Sequence, residues 1–386
     1  DMQETWAIHG VYPAMGWTKD STALVFWAGG KIHRLSLPAT LDPSGQTPGL
    51  VAATADAVLP FRVRDKRRVI EALRFPVEVA PETFPLRMIR FAQTSPDGKR
   101  VVFQALGMLW VKTLPEGRPE VLTAQRDHFE YFPSWSRDGK SIVYTTFDDN
   151  MYGSVRIAPA APAAPAGGEG RPVTTEPGHY FEPVFTPDGK SIVYRKGTGN
   201  YLRGQAWGRE TGIYVVPSAG GKPTLVTDDG ALPQFGAASD RLYLMRFGDE
   251  DKRSLVSLTL AGADLRTHAT SEAATEFRLS PDGRWLAFSE RWNVFVTPFV
   301  PTGKAVEVGP KASAVPVARV SKDAGEGLHW SGDARSLHWS LGPELFSRDL
   351  KEAFAFVAGA PEKLPEPPAA GVRLGFDFTY AKPAGR

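Results

Sequence analysis

The feature of this 386-residue chain that most restricts its fold is a short phrase that returns seven times. Each copy has an aromatic or apolar residue, usually Ser or Thr, a turn usually marked by Asp, and then an apolar strand. The copies read WTKDSTALVF (17–26), TSPDGKRVVF (94–103), WSRDGKSIVY (135–144), FTPDGKSIVY (185–194), FGAASDRLYL (235–244), LSPDGRWLAF (279–288) and WSGDARSLHW (330–339). A period of about 40–50 residues with strand-turn-strand content is typical of a β-propeller.

The repeats contain enough strand signals for four strands each. In the copy that begins at residue 135, SIVYTT (141–146) alternates, SVRIAP (154–159) follows, and RPVTT (171–175) marks a fourth strand. The sequence therefore predicts an all-β propeller of four-stranded antiparallel blades with about seven repeats. The interval between Asp20 and Asp97 exceeds the others, so an incomplete propeller or two partial propellers remain as alternatives.

Two Pro-rich stretches interrupt the repeats. The segment 158–170 reads as a solvated excursion on the rim of a blade, and GAPEKLPEPPAAG (359–371) reads as a linker. The predicted organisation is a propeller over 1–358, a linker over 359–371, and over 372–386 the start of a following domain that the chain does not complete.

Composition excludes several classes of function. The net charge is +2 without a basic stripe, which argues against nucleic acid as a partner, and the basic run at 62–68 reads as a solvated face. The chain has no Cys, which excludes disulfides, thiolate catalysis and Cys-ligated metal. No apolar run approaches the roughly 18–20 residues needed to span a bilayer.

The sequence offers no catalytic, cofactor-binding or metal-binding constellation. It contains no G-x-S-x-G, no H-E-x-x-H and no His-x-His, and its seven His are scattered. FDDNMYG (147–153) has three oxygen side chains that could hold Ca²⁺, but it reads better as a hairpin loop of Asx turns. The repeated Asp residues read as turn residues that accept backbone N–H bonds rather than as a metal ring.

One set of polar and aromatic residues suggests a binding site. Residues three to six positions before the aligned aromatic enter the innermost strands, so they should surround the mouth of the central channel. The candidates for this axial mouth are Arg90, Tyr131, His179, Tyr180, Glu182, Glu276 and Glu326. Their mixed chemistry favours water-mediated or peptide-like recognition. The alternative is a hydrated hole with no partner.

The connecting phrases resemble a known family. The PDGK repeats resemble TolB-like propellers, and DMQETWAIHGVYP (1–13), VFWAGGKIHRL (25–35), EALRFP (71–76), PSWSRDGKSIVYTTFDD (133–149) and EPVFTPDGKSIVYR (182–195) are similar to the propeller region of large bacterial amidohydrolases. In that family further repeats lie upstream and a metal-dependent hydrolase barrel follows, so the resemblance implies an internal piece. The barrel's metal-binding His and Asp have no matching positions here.

The resemblance implies a scaffold, substrate-access or interaction domain that is non-catalytic by itself. Its partner would be its own C-terminal amidohydrolase domain or another protein, and the divalent metal would belong to that catalytic domain. It also implies a periplasmic or otherwise extracytoplasmic location. Two alternatives remain, which are a free-standing TolB-like binding module and the propeller of a prolyl-oligopeptidase-like serine peptidase.

Overall fold

The computed structural model describes residues 15–37, 55–69, 75–76, 78, 81–123, 127–161, 170–197, 210–248 and 252–379. The chain divides into two compact units, Asp1–Val79 with Gly199–Trp207, and Ala80–Thr198 with Gly208–Arg386. The regular structure of the described residues is β-strand apart from one 3₁₀ turn at Leu350–Glu352. In this part of the chain no helix is long and apolar enough to cross a membrane.

The smaller unit contains one antiparallel sheet, built from the first repeat. Its strands are β1 (Met15–Trp17), β2 (Ala23–Ala28), β3 (Lys31–Ser36) and β4 (Ala55–Leu59), paired in that order.

The larger unit starts with β5 (Thr83–Pro85) and continues with six sheets, called here the first to sixth blades. The first blade contains β6 (Arg90–Thr94), β7 (Arg100–Ala105), β8 (Met108–Thr113) and β9 (Glu120–Val121). The second contains β10 (Phe129–Trp135), β11 (Ser141–Asp148), β12 (Tyr152–Pro159) and β13 (Arg171–Pro172). The third contains β14 (His179–Phe185), β15 (Ser191–Gly197), β16 (Gly212–Pro217) and β17 (Thr224–Thr227).

The other three blades follow in chain order, and the fifth and sixth have long connections before their outermost strands. The fourth contains β18 (Ala231–Phe235), β19 (Arg241–Phe247), β20 (Arg253–Thr259) and β21 (Arg266–Ser271). The fifth contains β22 (Ala274–Leu279), β23 (Trp285–Glu290), β24 (Asn293–Pro298) and β26 (Ala318–Arg319), and its excursion adds β25 (Val306–Glu307) parallel to β21. The sixth contains β27 (Glu326–Trp330), β28 (Ser336–Leu341), β29 (Glu344–Asp349) and β30 (Val372–Arg373).

The six blades close into a ring. Each innermost strand contacts that of the next blade, and β27 of the sixth contacts β6 of the first. Six buried clusters fill the six junctions between neighbouring blades. An open row of six blades would have five such junctions. At the closing junction, Leu345 of the sixth blade packs with Ile89 and Phe103 of the first.

A short clasp lies beside this closing junction. After β30, β31 (Asp377–Thr379) pairs antiparallel with β5. The fully buried Leu374 joins the cluster between the sixth and first blades, where Phe376 packs on Trp110 with ring centroids 4.7 Å apart. The two ends of the larger unit therefore meet at one place.

The all-β propeller fold is as predicted, and all seven repeats form sheets. The predicted domain boundaries, by contrast, differ from the observed units. Only six of the seven repeat sheets belong to the larger unit, because the first repeat lies in the smaller one. The segment expected to be a linker is an excursion between β29 and β30, and 372–379 completes the sixth blade and the clasp. Residues 380–386 lie outside the described part.

The repeated Asp residues stabilise the turn after the first strand in six of the seven repeat sheets, as predicted, and the fourth blade has Ala238 at this position. In the second blade, Ser136 donates to Asp138 Oδ1 at 2.6 Å and Lys140 N donates to the same oxygen at 3.1 Å. The same pair of bonds recurs at Asp20, Asp97, Asp188, Asp282 and Asp333. The bond from Ser136, followed by that from Lys140, holds the pKa of Asp138 below its ordinary value.

The residue just before the first residue of the repeated phrase links neighbouring innermost strands through side-chain hydrogen bonds in two of the blades. In the fourth blade, Gln234 accepts from Leu279 N at 2.7 Å and donates to Phe277 O at 2.8 Å. His329 of the sixth blade has the same position. Its Nε2 accepts from Thr94 N at 3.0 Å, and its Nδ1 lies 3.0 Å from Gly327 O. Neutral His329 with its proton on Nδ1 therefore links the two blades that close the ring.

Candidate functional site

A cavity of about 350 Å³ lies on the propeller axis, and all six innermost strands line it. The position three residues before the aligned aromatic or apolar residue contributes a side chain or backbone from every blade. These residues are Phe91, Phe132, Glu182, Leu232, Glu276 and Gly327. We call this space the axial cavity.

A β-bulge in each innermost strand positions these residues. The pairing register shifts in all six strands, as between Tyr131 and Ser134 in β10. Five of the six bulges contain a residue with positive φ, among them Phe132 at 50° and Glu182 at 53°. A non-glycine residue in this conformation is uncommon, and bulges often re-aim side chains beside functional sites.

The first two blades supply an aromatic wall to the axial cavity, and Phe181 of the third blade packs against this wall without lining the cavity. The rings of Phe91 and Phe132 have centroids 4.2 Å apart, and Phe132 meets Phe181 edge-on at 5.8 Å. The Arg195 guanidinium lies 4.4 Å from the centroid of Phe181. This side of the cavity can receive an apolar or planar group.

Glu182 is an internally paired carboxylate. Arg195 Nε donates to Glu182 Oε2 at 3.0 Å and Arg195 Nη2 to Oε1 at 2.8 Å. Oε2 also accepts from Leu232 N of the next blade at 2.8 Å. Because both carboxylate oxygens have partners, Glu182 mainly fixes the shape of the cavity.

Glu276 is a buried carboxylate with less compensation than Glu182, since its side chain is only 12% exposed and its ion pair with Arg278 is longer. Its Oε1 accepts from Leu328 N at 3.1 Å, and Arg278 Nε lies 3.4 Å from Oε2. Burial raises the pKa of Glu276 despite the opposing effect of Arg278. A cationic or hydrogen-bond-donating ligand would relieve this desolvation.

Arg90 and Glu326 are the uncommitted charges of the site. Both line the axial cavity and are exposed, and neither side chain has a hydrogen-bond or ion-pair partner among the residues that the structure describes. Opposite charges at one opening are suited to a dipolar ligand, because each end of the ligand meets a complementary group.

The other predicted mouth residues do not line the axial cavity. Tyr131 is half-buried, and burial raises its pKa while nearby Arg90 lowers it. His179 packs between Phe147 and Phe181, with centroids 4.9 and 4.5 Å away. Tyr180 is buried inside the blade, where its hydroxyl donates to Glu176 O at 2.7 Å. The structure thus brings together Arg90, Glu182, Glu276 and Glu326.

Sequence reasoning missed the aromatic wall and the cation behind Glu182. Phe91, Phe132 and Leu232 share the aligned position of Glu182 and Glu276, so the alignment of repeats contained the signal. Glu130, five positions before the aligned Trp135, is fully buried, and its carboxylate accepts from Leu109 N at 2.8 Å. No sequence signal pointed to Arg195, because its position is set by strand pairing.

The described residues contain no group of three or more His, Asp or Glu side chains arranged to hold a metal ion. In the loop 147–153, Asp148 Oδ1 accepts from Asn150 N at 2.8 Å and Met151 N at 2.7 Å. This is the Asx-turn geometry expected of a hairpin loop.

Comparison with known proteins supports the fold. No protein-family model matches the sequence, and no curated protein matches it. The structure of putative TolB from Agrobacterium tumefaciens is 17% identical with a TM-score of 0.50, over 65% of this chain and 93% of that chain. TolB from Acinetobacter baumannii is 16% identical with a TM-score of 0.45, over 62% of this chain and 55% of that chain. An oligogalacturonate lyase in complex with manganese is 11% identical with a TM-score of 0.46, over 84% of this chain and 83% of that chain.

The likeness to the Agrobacterium protein defines the class of fold. The larger unit is a TolB-like β-propeller. At this sequence identity the likeness extends to the fold alone.

Proposed function

We propose that this chain is the non-catalytic propeller portion of a metal-dependent amidohydrolase, a hydrolase acting on C–N bonds. In this proposal it serves as a scaffold and binding domain, and its axial cavity takes a peptide-like segment of a substrate or of the catalytic domain. The observation that carries the proposal is the axial cavity, which combines the uncommitted charges of Arg90 and Glu326 with an aromatic wall.

A peptide-like ligand fits this combination better than an apolar one. Peptide groups carry donors and acceptors in alternation, and Glu276, Glu326 and Arg90 provide both kinds of partner. The Phe91 and Phe132 rings offer a surface for a side chain or for the flat face of a peptide group. Binding sites usually combine such an apolar lining with a few convergent polar groups.

The amidohydrolase assignment rests on the connecting phrases that resemble that family. The proposed catalytic domain would hold the divalent metal and follow the propeller, and the whole protein would act in the periplasm or another extracytoplasmic compartment. A free-standing TolB-like binding module is the second candidate, which the fold comparison favours. The hundred or so codons after this segment discriminate between them, since a His-x-His after a short strand supports the hydrolase and a stop codon supports the module.

The test uses the full-length protein with Glu276→Gln and Glu326→Gln combined. Glutamine at 276 can still accept from Leu328 N, so the substitution removes charge and preserves the inter-blade bond. We expect kcat/KM for peptide-like substrates, or the affinity of the propeller for the catalytic domain, to fall about tenfold or more.

The matched control is Glu116→Gln with Glu362→Gln, which neutralises two exposed carboxylates in outer connections. The control should leave both quantities unchanged. If the axial double variant also leaves both unchanged across substrates of different size, the axial cavity has no part in recognition.

A further inference from the structure

The end of the channel opposite the axial cavity has one unusual residue. The position two residues after the aligned aromatic lies in the turn of each blade and forms what we call the turn-side ring. Its members are Pro96, Arg137, Pro187, Ala237, Pro281 and Gly332. Five are small or cyclic, and only Arg137 has a long side chain.

Arg137 crosses the axis to reach the far side of this ring. It belongs to the second blade, but its guanidinium donates to backbone carbonyls of the fourth and fifth blades. Nη2 donates to Gly236 O and, at 3.5 Å, to Pro281 O, and Nη1 donates to Ala237 O at 3.5 Å. In a six-bladed ring the fifth blade lies opposite the second, so the side chain spans the opening.

A second, smaller cavity has Arg137 among its lining residues. It measures about 180 Å³ and is lined by Thr94, Trp135, His329, Arg137 and Pro281, among others. Gln93 lines both this lower chamber and the axial cavity. Along the axis the order is therefore the axial cavity, the lower chamber, and then Arg137.

We propose that Arg137 closes the turn-side end of the channel, so that the axial cavity is a blind pocket entered from one face. If the axial cavity binds a peptide-like ligand, as in the proposed function, closure by Arg137 determines which part of the ligand binds. A blind pocket receives the end of an extended chain, whereas an open channel would let the chain pass through. Three donated hydrogen bonds hold the guanidinium across the opening, and an ionised donor makes each stronger than a neutral one would.

The absence of Cys from the chain allows a direct test. Thr94→Cys places a thiol in the lower chamber, and it removes no hydrogen bond because Thr94 Oγ1 is buried without a partner. The probe is the uncharged reagent methyl methanethiosulfonate, so that the loss of a cation does not change its attraction. We expect slow modification with Arg137 present and at least about tenfold faster modification with Arg137→Pro.

Arg137→Pro is chosen because three blades already have Pro at this position, in the same Ser/Thr-Pro-Asp-Gly turn. Arg137→Ala provides a second variant if the first fails to fold, with the melting temperature reporting folding. Ser134→Cys, which lines the axial cavity, should react fast in both backgrounds. Arg171→Ala is the matched control, since Arg171 also donates to carbonyls, those of Ser218 and Ala219, but does not line either axial cavity.

Two results would overturn the proposal. Modification of the Thr94→Cys thiol as fast with Arg137 in place as in the Arg137 variants would show that Arg137 does not close the turn-side end. An unchanged slow rate in folded Arg137→Pro and Arg137→Ala would show that something else closes it. Because the labelling needs no ligand, its outcome is independent of whether the axial cavity binds a peptide.

Discussion

Mild acid should weaken the junction that closes the propeller ring. His329 accepts a hydrogen bond from Thr94 N across this junction, which requires a neutral imidazole. Burial, followed by the neighbouring His338 and Arg278, lowers the pKa of His329 to about 3. Burial likewise lowers the pKa of His338 to about 4, and the two rings stack with centroids 5.2 Å apart.

The direction of the effect follows from proton binding. Between the folded and unfolded pKa values the unfolded chain binds more protons, so the free energy of unfolding falls as the pH decreases below about 6.5. At about pH 5 each histidine should contribute a loss of about 2 kcal/mol, which is 1.4 kcal/mol for each of the roughly 1.5 pH units below the unfolded pKa. Together the pair should contribute about 4 kcal/mol.

The assay is urea denaturation at about pH 7.5 and about pH 5, in the parent and in His329→Gln. Glutamine is a suitable replacement because Gln234 makes the equivalent bonds between the fourth and fifth blades. The variant should match the parent closely at the higher pH. Its loss of stability on acidification should be smaller by about 2 kcal/mol, since one of the two depressed histidines is gone.

His268→Gln serves as the comparison. Burial, with the help of Arg241 and Arg266, lowers the pKa of His268, but this residue is half-buried and lies away from the closing junction. Its removal should change the acid step less than His329→Gln does. Equal acid sensitivity of the parent and His329→Gln would refute the assignment of the junction to a neutral imidazole.

Three further outcomes are expected. Asp138→Ala should lower the free energy of unfolding by about 1 kcal/mol, which would be seen as a lower Tm. The control Asp240→Ala, in the degraded repeat, should change the Tm little. Loss of ligand binding at unchanged stability would contradict the turn role of Asp138. Leu374→Ala should lower the free energy of unfolding, measured by urea denaturation, by about 3 kcal/mol because the Leu374 side chain is fully buried. The control Phe356→Ala, at an exposed residue, should lower it by less than about 0.5 kcal/mol. Equal losses in the two variants would contradict the packing role of the clasp. The purified chain should release no product from amide, ester or peptide substrates with or without Zn²⁺, and a turnover abolished by one substitution in this chain would contradict it.

The sequence predicts local structure in this protein better than long-range packing. The Ser/Thr-x-Asp spacing predicts the turn at Asp138 because both partners lie within four residues of it. The same phrase at Asp20 gives no sign that its sheet belongs to the smaller unit. Which unit a sheet belongs to depends on its packing against other sheets, and the phrase carries no information about that packing. The two-residue strand Val372–Arg373 also lacks a local signal, and it follows an excursion rich in Pro.

The candidate site was predictable to the level of strands and not to the level of side chains. Successive residues in a strand point to opposite faces, and a bulge reverses the assignment beyond it. This explains why Glu182 lines the axial cavity while Tyr180, two residues earlier on the same strand, packs inside the blade. Arg137 was detectable from the aligned turns, but its reach across the axis depends on ring closure.

The clasp between β5 and β31 has a consequence for how such a propeller can be carried within a longer polypeptide. Because Thr83–Pro85 and Asp377–Thr379 lie side by side and antiparallel, the first and last described strands of the larger unit lie at one place. A module with adjoining entry and exit can be inserted into a loop of a host domain with little displacement of that loop's two ends.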